Sequence, residues 1–343
     1  MDDKPRTRQN AVIRFLSTKD AYPHRVSRIQ VIHTHISCVF LTGRYAYKVK
    51  KELKFGEILD YSTLALRRRY CQKEVTLNQL LCGSMYVGVV KIVRARNGNT
   101  HLELTDLDDK RKGIEYCVKM KELPQQFQMN NLLDTGRVDE DIIKRLASIL
   151  VRFHLSTPTN SKICKFGQPG FIKAKVDENF ETISSMHISI NPKYHNKMNS
   201  FIDKNSKLFL NRIKAGKIRD IHGDLYLGNI FVVGSRFYLY DRIEFDDSLR
   251  YADVAEDVAH LAMDLDSHNR HDFQEMFINQ YILKSKDDSL KDILYFMMCF
   301  KACMRAKVSF FNAKNDPNSE RSVASYREGN RLLEIAESYL KLF

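Results

Sequence analysis

The sequence predicts an α+β protein in two parts: a small, β-rich N-terminal part over 1–121 and a larger, mainly helical part over 122–343. Three observations lead there. Short runs of strand character at 28–33, 38–41, 45–50, 87–93, 101–104 and 116–120 crowd the first third, with one long helical pattern among them. Beyond Pro124 the apolar spacing changes to three and four residues, as in Ile142, Leu146, Ile149 and Phe153. Inside that helical part stands one hairpin signal, Gly234-Ser235 between the runs 229–233 and 236–240.

Composition bounds the reading. With 343 residues, 43% hydrophobic and 28% charged, the chain is an ordinary globular sequence able to bury a large core. No apolar run is long enough to cross a bilayer, and the polar start Met1-Asp2-Asp3-Lys4-Pro5-Arg6 is unlike a signal peptide, so a cytoplasmic protein without a membrane partner is expected. Seven cysteines, an odd number with no Cys-x-x-Cys pair, predict reduced thiols, and Cys299 and Cys303 read as small buried apolar residues on one helical face. The net charge of +13 is uneven: 1–123 holds 24 Lys/Arg against 13 Asp/Glu, whereas the remainder holds 31 against 29. A basic first third suits a polyphosphate ligand and also loose attraction to RNA. The runs Arg67-Arg68-Arg69 and Lys110-Arg111-Lys112 lack interleaved aromatics, however, and read as solvated faces, which argues against a nucleic-acid partner.

In chain order, 11–21 reads as a short helix closed by Tyr22-Pro23, followed by the first three strands. Thr34-His35-Ile36-Ser37 joins the first two and, by composition, is a β-turn. Ser62 is the expected N-cap of a helix over 63–81 with an inward stripe of Leu66, Tyr70, Leu77 and Leu81. Glu74 falls within that stripe, and a carboxylate among apolar neighbours requires a cationic partner. Turns are expected at 96–99 and at Lys112-Gly113, between the later strands. After Pro124 a helix ends at His154, an irregular stretch with Pro158, Gly167, Pro169 and Gly170 covers 155–172, and helices are expected over 175–187 and 192–214. Val254, Val258, Leu261 and Leu265 define a buried helix, and three more cover 271–284, 288–313 and 318–342.

The chemistry concentrates in 219–241. His222, Asp224, Asn229 and Asp241 lie on a loop and the strand pair after it; the hairpin would bring Asn229 and Asp241 together, where an amide and a carboxylate could share a divalent cation. Asp224 stands five residues before Asn229, the spacing of the kinase catalytic loop, where the Asp accepts a hydroxyl proton. The run His222-Gly223-Asp224-Leu225-Tyr226-Leu227-Gly228-Asn229 resembles the signature of the aminoglycoside phosphotransferase and choline kinase-like family, small-molecule relatives of the protein kinases. Tyr22-Pro23-His24, Thr34-His35-Ile36-Ser37, 45–51, Ile243-Glu244-Phe245 and Leu249-Arg250-Tyr251 extend the resemblance over most of the chain, toward a branch often fused to a P-loop kinase domain. Tyr226 departs from the family, which usually has His there.

The resemblance implies a bilobal protein kinase-like fold, with a nucleotide-binding lobe over 1–121 and a catalytic, acceptor-binding lobe over 122–343. It further implies an ATP- and Mg²⁺-dependent phosphotransferase acting on a hydroxyl of a small molecule. Asp224 would be the general base, with Asn229 and Asp241 as metal ligands. Glu244 is a second metal candidate, since Ile243-Glu244-Phe245 can itself be aligned with the family's metal motif. Lys48 matches the phosphate-gripping strand lysine paired with a helix glutamate, here Glu74; Lys50, on the same strand face by the period of two, is the runner-up. Thr34 and Ser37 occupy the phosphate-loop position, although no glycine is present, and Lys119, Met120 and Lys121 occupy the adenine-binding hinge. His222 would hold the loop by hydrogen bonding, and Asp257, or Asp253, would prop it. Lys301 and Arg305 share a helix face; they would reach an anionic substrate or remain helix-surface charges. The alternatives are a pseudokinase or interaction module that binds nucleotide without turnover, and an RNA-associated protein.

Overall fold

The computed structural model describes residues 4–56, 59–95, 101–315 and 320–343. The turn expected at 96–99 lies outside them. The chain is α+β, as predicted, and divides into two compact units: Met1–Gln128 with Ile230–Asp247, and Met129–Asn229 with Ser248–Phe343.

In the first unit a helix, α1 (Lys4–Leu16), starts well before the pattern at 11–21 and stops at Leu16. The strands are β1 (Gln30–His33), β2 (Ser37–Leu41), β3 (Tyr45–Lys50), the short pair β4 (Lys54–Phe55) and β5 (Leu59–Asp60), then β6 (Tyr86–Arg94), β7 (Leu102–Asp106) and β8 (Glu115–Lys121). Six of them form an antiparallel sheet in the order β1-β2-β3-β8-β6-β7. The strand period of two assigns their side chains to two cores. Val12 and Leu16 of α1 pack with Phe40, Tyr47, Val49 and Cys117. On the other face Ala46 and Val118 pack with Cys71, Val75 and Cys82 of α2 (Leu64–Cys82).

Two expectations for α2 are corrected. Its N-cap is Thr63, whose hydroxyl accepts from the Leu66 amide at 3.2 Å, because the Ser62 hydroxyl is engaged by Asp60 at 2.5 Å. Its buried face is Arg67, Cys71, Glu74, Val75, Asn78 and Cys82, while Leu66, Tyr70, Leu77 and Leu81 are half-buried flanks. Polar residues can occupy the inner face because each has a partner: Arg67 Nε meets Glu115 at 3.0 Å, and Asn78 Oδ1 accepts from the Arg242 amide at 2.8 Å. The hairpin Ile230–Val233 with Arg236–Leu239 also belongs to this unit. Val233 pairs with Arg236 across Gly234-Ser235, and Gly234 supplies the positive φ of +57° such a turn requires.

The second unit is helical: α3 (Met129–Asp134), α4 (Glu140–Ser156), α5 (Ser161–Cys164), α6 (Pro169–Ser185), α7 (Lys193–Lys204), α8 (Ser206–Lys214), α9 (Ala255–Ser267), α10 (His271–Ser285), α11 (Leu290–Asn315) and α12 (Glu320–Leu340). The stretch at 155–172 is more regular than its prolines and glycines imply, since Asn160 caps α5 and Pro169 sits in the first turn of α6, where no amide is needed. The helix expected over 192–214 is broken at Asn205 into α7 and α8. A short strand pair, Ile218–Asp220 with Tyr251–Asp253, leads into the loop at 221–229. Asp253 is committed there: the buried Arg212 guanidinium contacts it at 2.7 Å and Asp287 at 3.0 Å. All seven cysteines are free, with Cys299 and Cys303 buried on α11. Among the described residues no helix is long and apolar enough to cross a membrane.

Candidate active site

The first unit contributes a buried charge cluster. Lys48 and Lys50 project from one face of β3, as the strand period requires, and both reach Glu74 of α2, at 3.0 Å and 2.6 Å. Lys48 also meets the Asp241 carboxylate at 2.5 Å. Lys50, fully buried, meets Glu244, which the Tyr61 hydroxyl also approaches. Burial opposes charge on both lysines, yet Asp241 and Glu74 hold the Lys48 ammonium, and Glu244 and Glu74 the Lys50 ammonium, above its ordinary value. Burial likewise works against Glu74, but Lys48 and Lys50 hold its carboxyl down at about 2. Asp241 and Glu244 therefore differ in kind. The Asp241 side chain is 42% exposed, whereas that of Glu244 is 4% exposed and surrounded by partners. Asp241 also adopts a left-handed backbone, φ +63°, which Asp tolerates better than most residues.

The other nucleotide-side candidates sit as follows. The Thr34 hydroxyl accepts from the Ser37 amide at 2.9 Å within the turn, and the Ser37 hydroxyl is fully buried. On β8, Lys119 lies over the Tyr45 ring, Met120 is core, and Lys121 donates to Ser84.

The second unit contributes the loop. Asp257, at the start of α9, accepts the amides of His222 and Gly223 at 2.7 Å and 2.9 Å. His154, from the end of α4, stands with Nε2 3.0 Å from the same carboxylate, and its Nδ1 is 2.7 Å from the Tyr281 hydroxyl. Against the effect of burial, His154 and His222 hold the Asp257 carboxyl at about 2. Asn229 closes the loop by donating to the Asp224 carbonyl at 3.0 Å and to its carboxylate at 3.4 Å. Both contacts use the Asn229 amide nitrogen and not its oxygen. His222 and Leu225 are fully buried, yet the Asp224 side chain between them remains 41% exposed.

Behind the loop lie residues the sequence reading did not single out: Glu256, His260 and Asp264, three positions at spacings of four on α9. The period of 3.6 was the available signal, since it puts them on one face. Glu256 pairs with Lys175 and Lys301, both at 3.0 Å; Lys301 also donates to the Gly223 carbonyl at 3.3 Å. Asp264 pairs with Arg305 at 3.0 Å and accepts the Leu227 amide at 2.8 Å. Tyr226 lies between the Arg305 guanidinium, 5.0 Å from its ring centre, and the His260 ring, at 5.7 Å.

Among the described residues no group of three or more His, Cys, Asp or Glu forms a ready cation cage. Asp241 in the first unit and Asn229 in the second each carry an oxygen of the hard donor type that suits Mg²⁺.

No protein-family model matches the chain. An uncharacterized protein of Mycobacterium tuberculosis is 29% identical over 285 residues, 82% of this chain and 54% of that protein, and one from Mycobacterium bovis matches equally. The chain thus spans about half the length of the curated relatives it matches. Solved structures extend the likeness over nearly all of it. A choline/ethanolamine kinase family protein from Mesorhizobium loti superposes with a TM-score of 0.51 at 10% identity, covering 98% of this chain and 100% of that one. For choline kinase from Cryptosporidium parvum the TM-score is 0.51 at 10% identity, covering 96% and 94%. For Plasmodium vivax ethanolamine kinase it is 0.50 at 13% identity, covering 98% and 94%. The chain therefore has the kinase-like fold of these small-molecule phosphotransferases, the fold its motifs resemble.

Proposed function

We propose that this chain is an ATP- and Mg²⁺-dependent phosphotransferase that moves the γ-phosphoryl group to a hydroxyl of a small molecule. The observation that carries the reading is the Asp224 carboxylate, 41% exposed, on a largely buried loop fixed by Asp257 and Asn229. A base for an incoming hydroxyl needs both access and rigidity. In the transfer, the bond from the γ-phosphorus to the β-phosphate oxygen breaks, the acceptor oxygen bonds to phosphorus, and its proton passes to Asp224.

Under this reading 1–121 forms the nucleotide-binding lobe and 122–343 the catalytic and acceptor lobe. Lys48, steadied by Glu74, neutralises the α- and β-phosphates. Asp241 and Asn229 hold Mg²⁺, which supplies charge neutralisation at the nucleotide phosphates. Glu244, enclosed by Lys50 and Tyr61, is the weaker metal candidate on its burial. Thr34, Ser37 and 119–121 are assigned to the nucleotide by position. His222 and Asp257 keep the loop in place. The protein works in the cytoplasm, without a membrane or nucleic-acid partner.

The test is γ-phosphate transfer across a broad hydroxyl panel, with Asp224→Asn as control. Transfer by the wild type that the variant loses supports the reading; identical behaviour of the two sinks it and favours a nucleotide-binding protein without turnover.

A further inference from the structure

Resting on the phosphotransferase reading, the second unit also carries information about which hydroxyl compound is accepted. The choline fold-relatives act on a cationic alcohol, and an acidic stretch such as 241–266, with nine Asp/Glu against two Arg, invites the same expectation here. The side-chain arrangement points the other way. The three α9 acids at the loop are buried and consumed: Glu256 is 5% exposed and held by two lysines, Asp257 is fully buried and takes the His222 and Gly223 amides, and Asp264 is 4% exposed and held by Arg305 and the Leu227 amide. None is available to an ammonium group. Three cations, Lys175, Lys301 and Arg305, stand beside these three acids, so the α9 carboxylates leave no negative surplus behind the loop.

Of the three cations Arg305 reaches solvent most. Its side chain is 27% exposed, and among the described residues its one hydrogen bond uses Nη1, leaving the other guanidinium donors of the fork for a ligand. The Tyr226 ring steadies its plane, and Tyr226 lies two residues from Asp224. A second observation agrees. His260, fully buried, has no hydrogen-bond partner at either ring nitrogen among the described residues; it stacks on Tyr226, and its Nδ1 lies 3.8 Å from Asp224. Burial, then Lys301 and Arg305, push the imidazole well below its ordinary value, so it stays neutral and adds no charge to repel an anion or attract one. A buried imidazole without partners is costly, and such orphaned groups mark places that a ligand completes.

We infer that the acceptor is an anionic alcohol, a hydroxyl compound carrying a carboxylate or phosphate, whose anionic group docks on Arg305 beside Tyr226 while its hydroxyl faces Asp224. The guanidinium fork matches either anion.

Two measurements on the intact chain test this. The first is binding, independent of turnover: thermal shift with glycerol 3-phosphate and glycerate against choline and ethanolamine, for wild type, Arg305→Ala and Arg305→Lys. The expected result is stabilisation by the anionic probes alone, weakened about tenfold or more in affinity by Arg305→Ala and partly restored by Arg305→Lys. Stabilisation by the amino alcohols instead, anion binding that ignores Arg305, or no shift with any probe overturns the inference. The second is phosphate transfer to the same probes, with Asp224→Asn beside wild type. Transfer to an anionic probe with a KM raised by Arg305→Ala and kcat little changed supports it. Transfer to choline or ethanolamine that Asp224→Asn abolishes overturns the acceptor class but keeps the phosphotransferase. Arg305-dependent anion binding with no transfer overturns the phosphotransferase and keeps the anion site.

Discussion

Lys48 and Lys50, two residues apart on β3, each take one oxygen of a single carboxylate: Nζ of Lys48 is 3.0 Å from Oε1 of Glu74, and Nζ of Lys50 is 2.6 Å from Oε2. The lysines are not equivalent, because Lys48 continues to the half-exposed Asp241 and Lys50 to the enclosed Glu244. Removing Lys50 leaves the buried Glu244 without its directly paired cation. Lys50→Met is expected to cost about 3–5 kcal/mol of folding stability, and Lys48→Met clearly less. Urea unfolding of both variants decides this, and equal losses would show the lysines to be interchangeable.

Activity should reverse that order. If Lys48 grips the nucleotide phosphates, Lys48→Met lowers kcat/KM by about 10²–10³ while leaving a folded protein. A variant that melts like the wild type and transfers phosphate equally well removes Lys48 from the mechanism.

Asp257 links stability to pH. Its folded pKa, lowered from 3.8 to about 2, lies below the unfolded one, so its contribution is present above pH 4 and fades as pH falls through the folded value. The advantage of wild type over Asp257→Asn should shrink by about 1 kcal/mol between roughly pH 5 and pH 3. Denaturant titrations at the two pH values measure it; an advantage that stays constant would falsify this assignment.

Gly228 makes room for Tyr226. A Cβ there would stand 2.5 Å from Tyr226 Cε2, so Gly228→Ala displaces the ring from its place between His260 and Arg305. A cost of about 1–3 kcal/mol is expected, and much less in a Tyr226→Ser background, where the obstacle is gone. A double-mutant cycle reads the coupling, and additive losses would mean the ring is not what the methyl group meets.

Local pattern made part of this legible. The strand period placed Lys48 and Lys50 on one face, and the position of Glu74 in its helix demanded a buried cation. What escaped depended on partners distant in sequence. Arg67 and Asn78 face inward only because Glu115 and Arg242 await them, which an apolar stripe does not reveal, so the inner face of α2 was assigned to Leu66, Tyr70, Leu77 and Leu81. Ser62 lost the cap to Thr63 through a contact with Asp60 that composition leaves open. On α9 the spacing of Glu256, His260 and Asp264 was visible, but their cations come from α6 and α11, and only the fold supplies them.

The first unit is discontinuous, since Ile230–Asp247 joins it after a hundred residues spent elsewhere. A fragment stopped at Gln128 would consequently retain two interior ammonium groups and a lone glutamate to balance them, having lost the carboxylates at 241 and 244. Dissecting this chain at its first crossing would therefore yield an electrostatically frustrated remnant, and any excision of that half must graft the hairpin back.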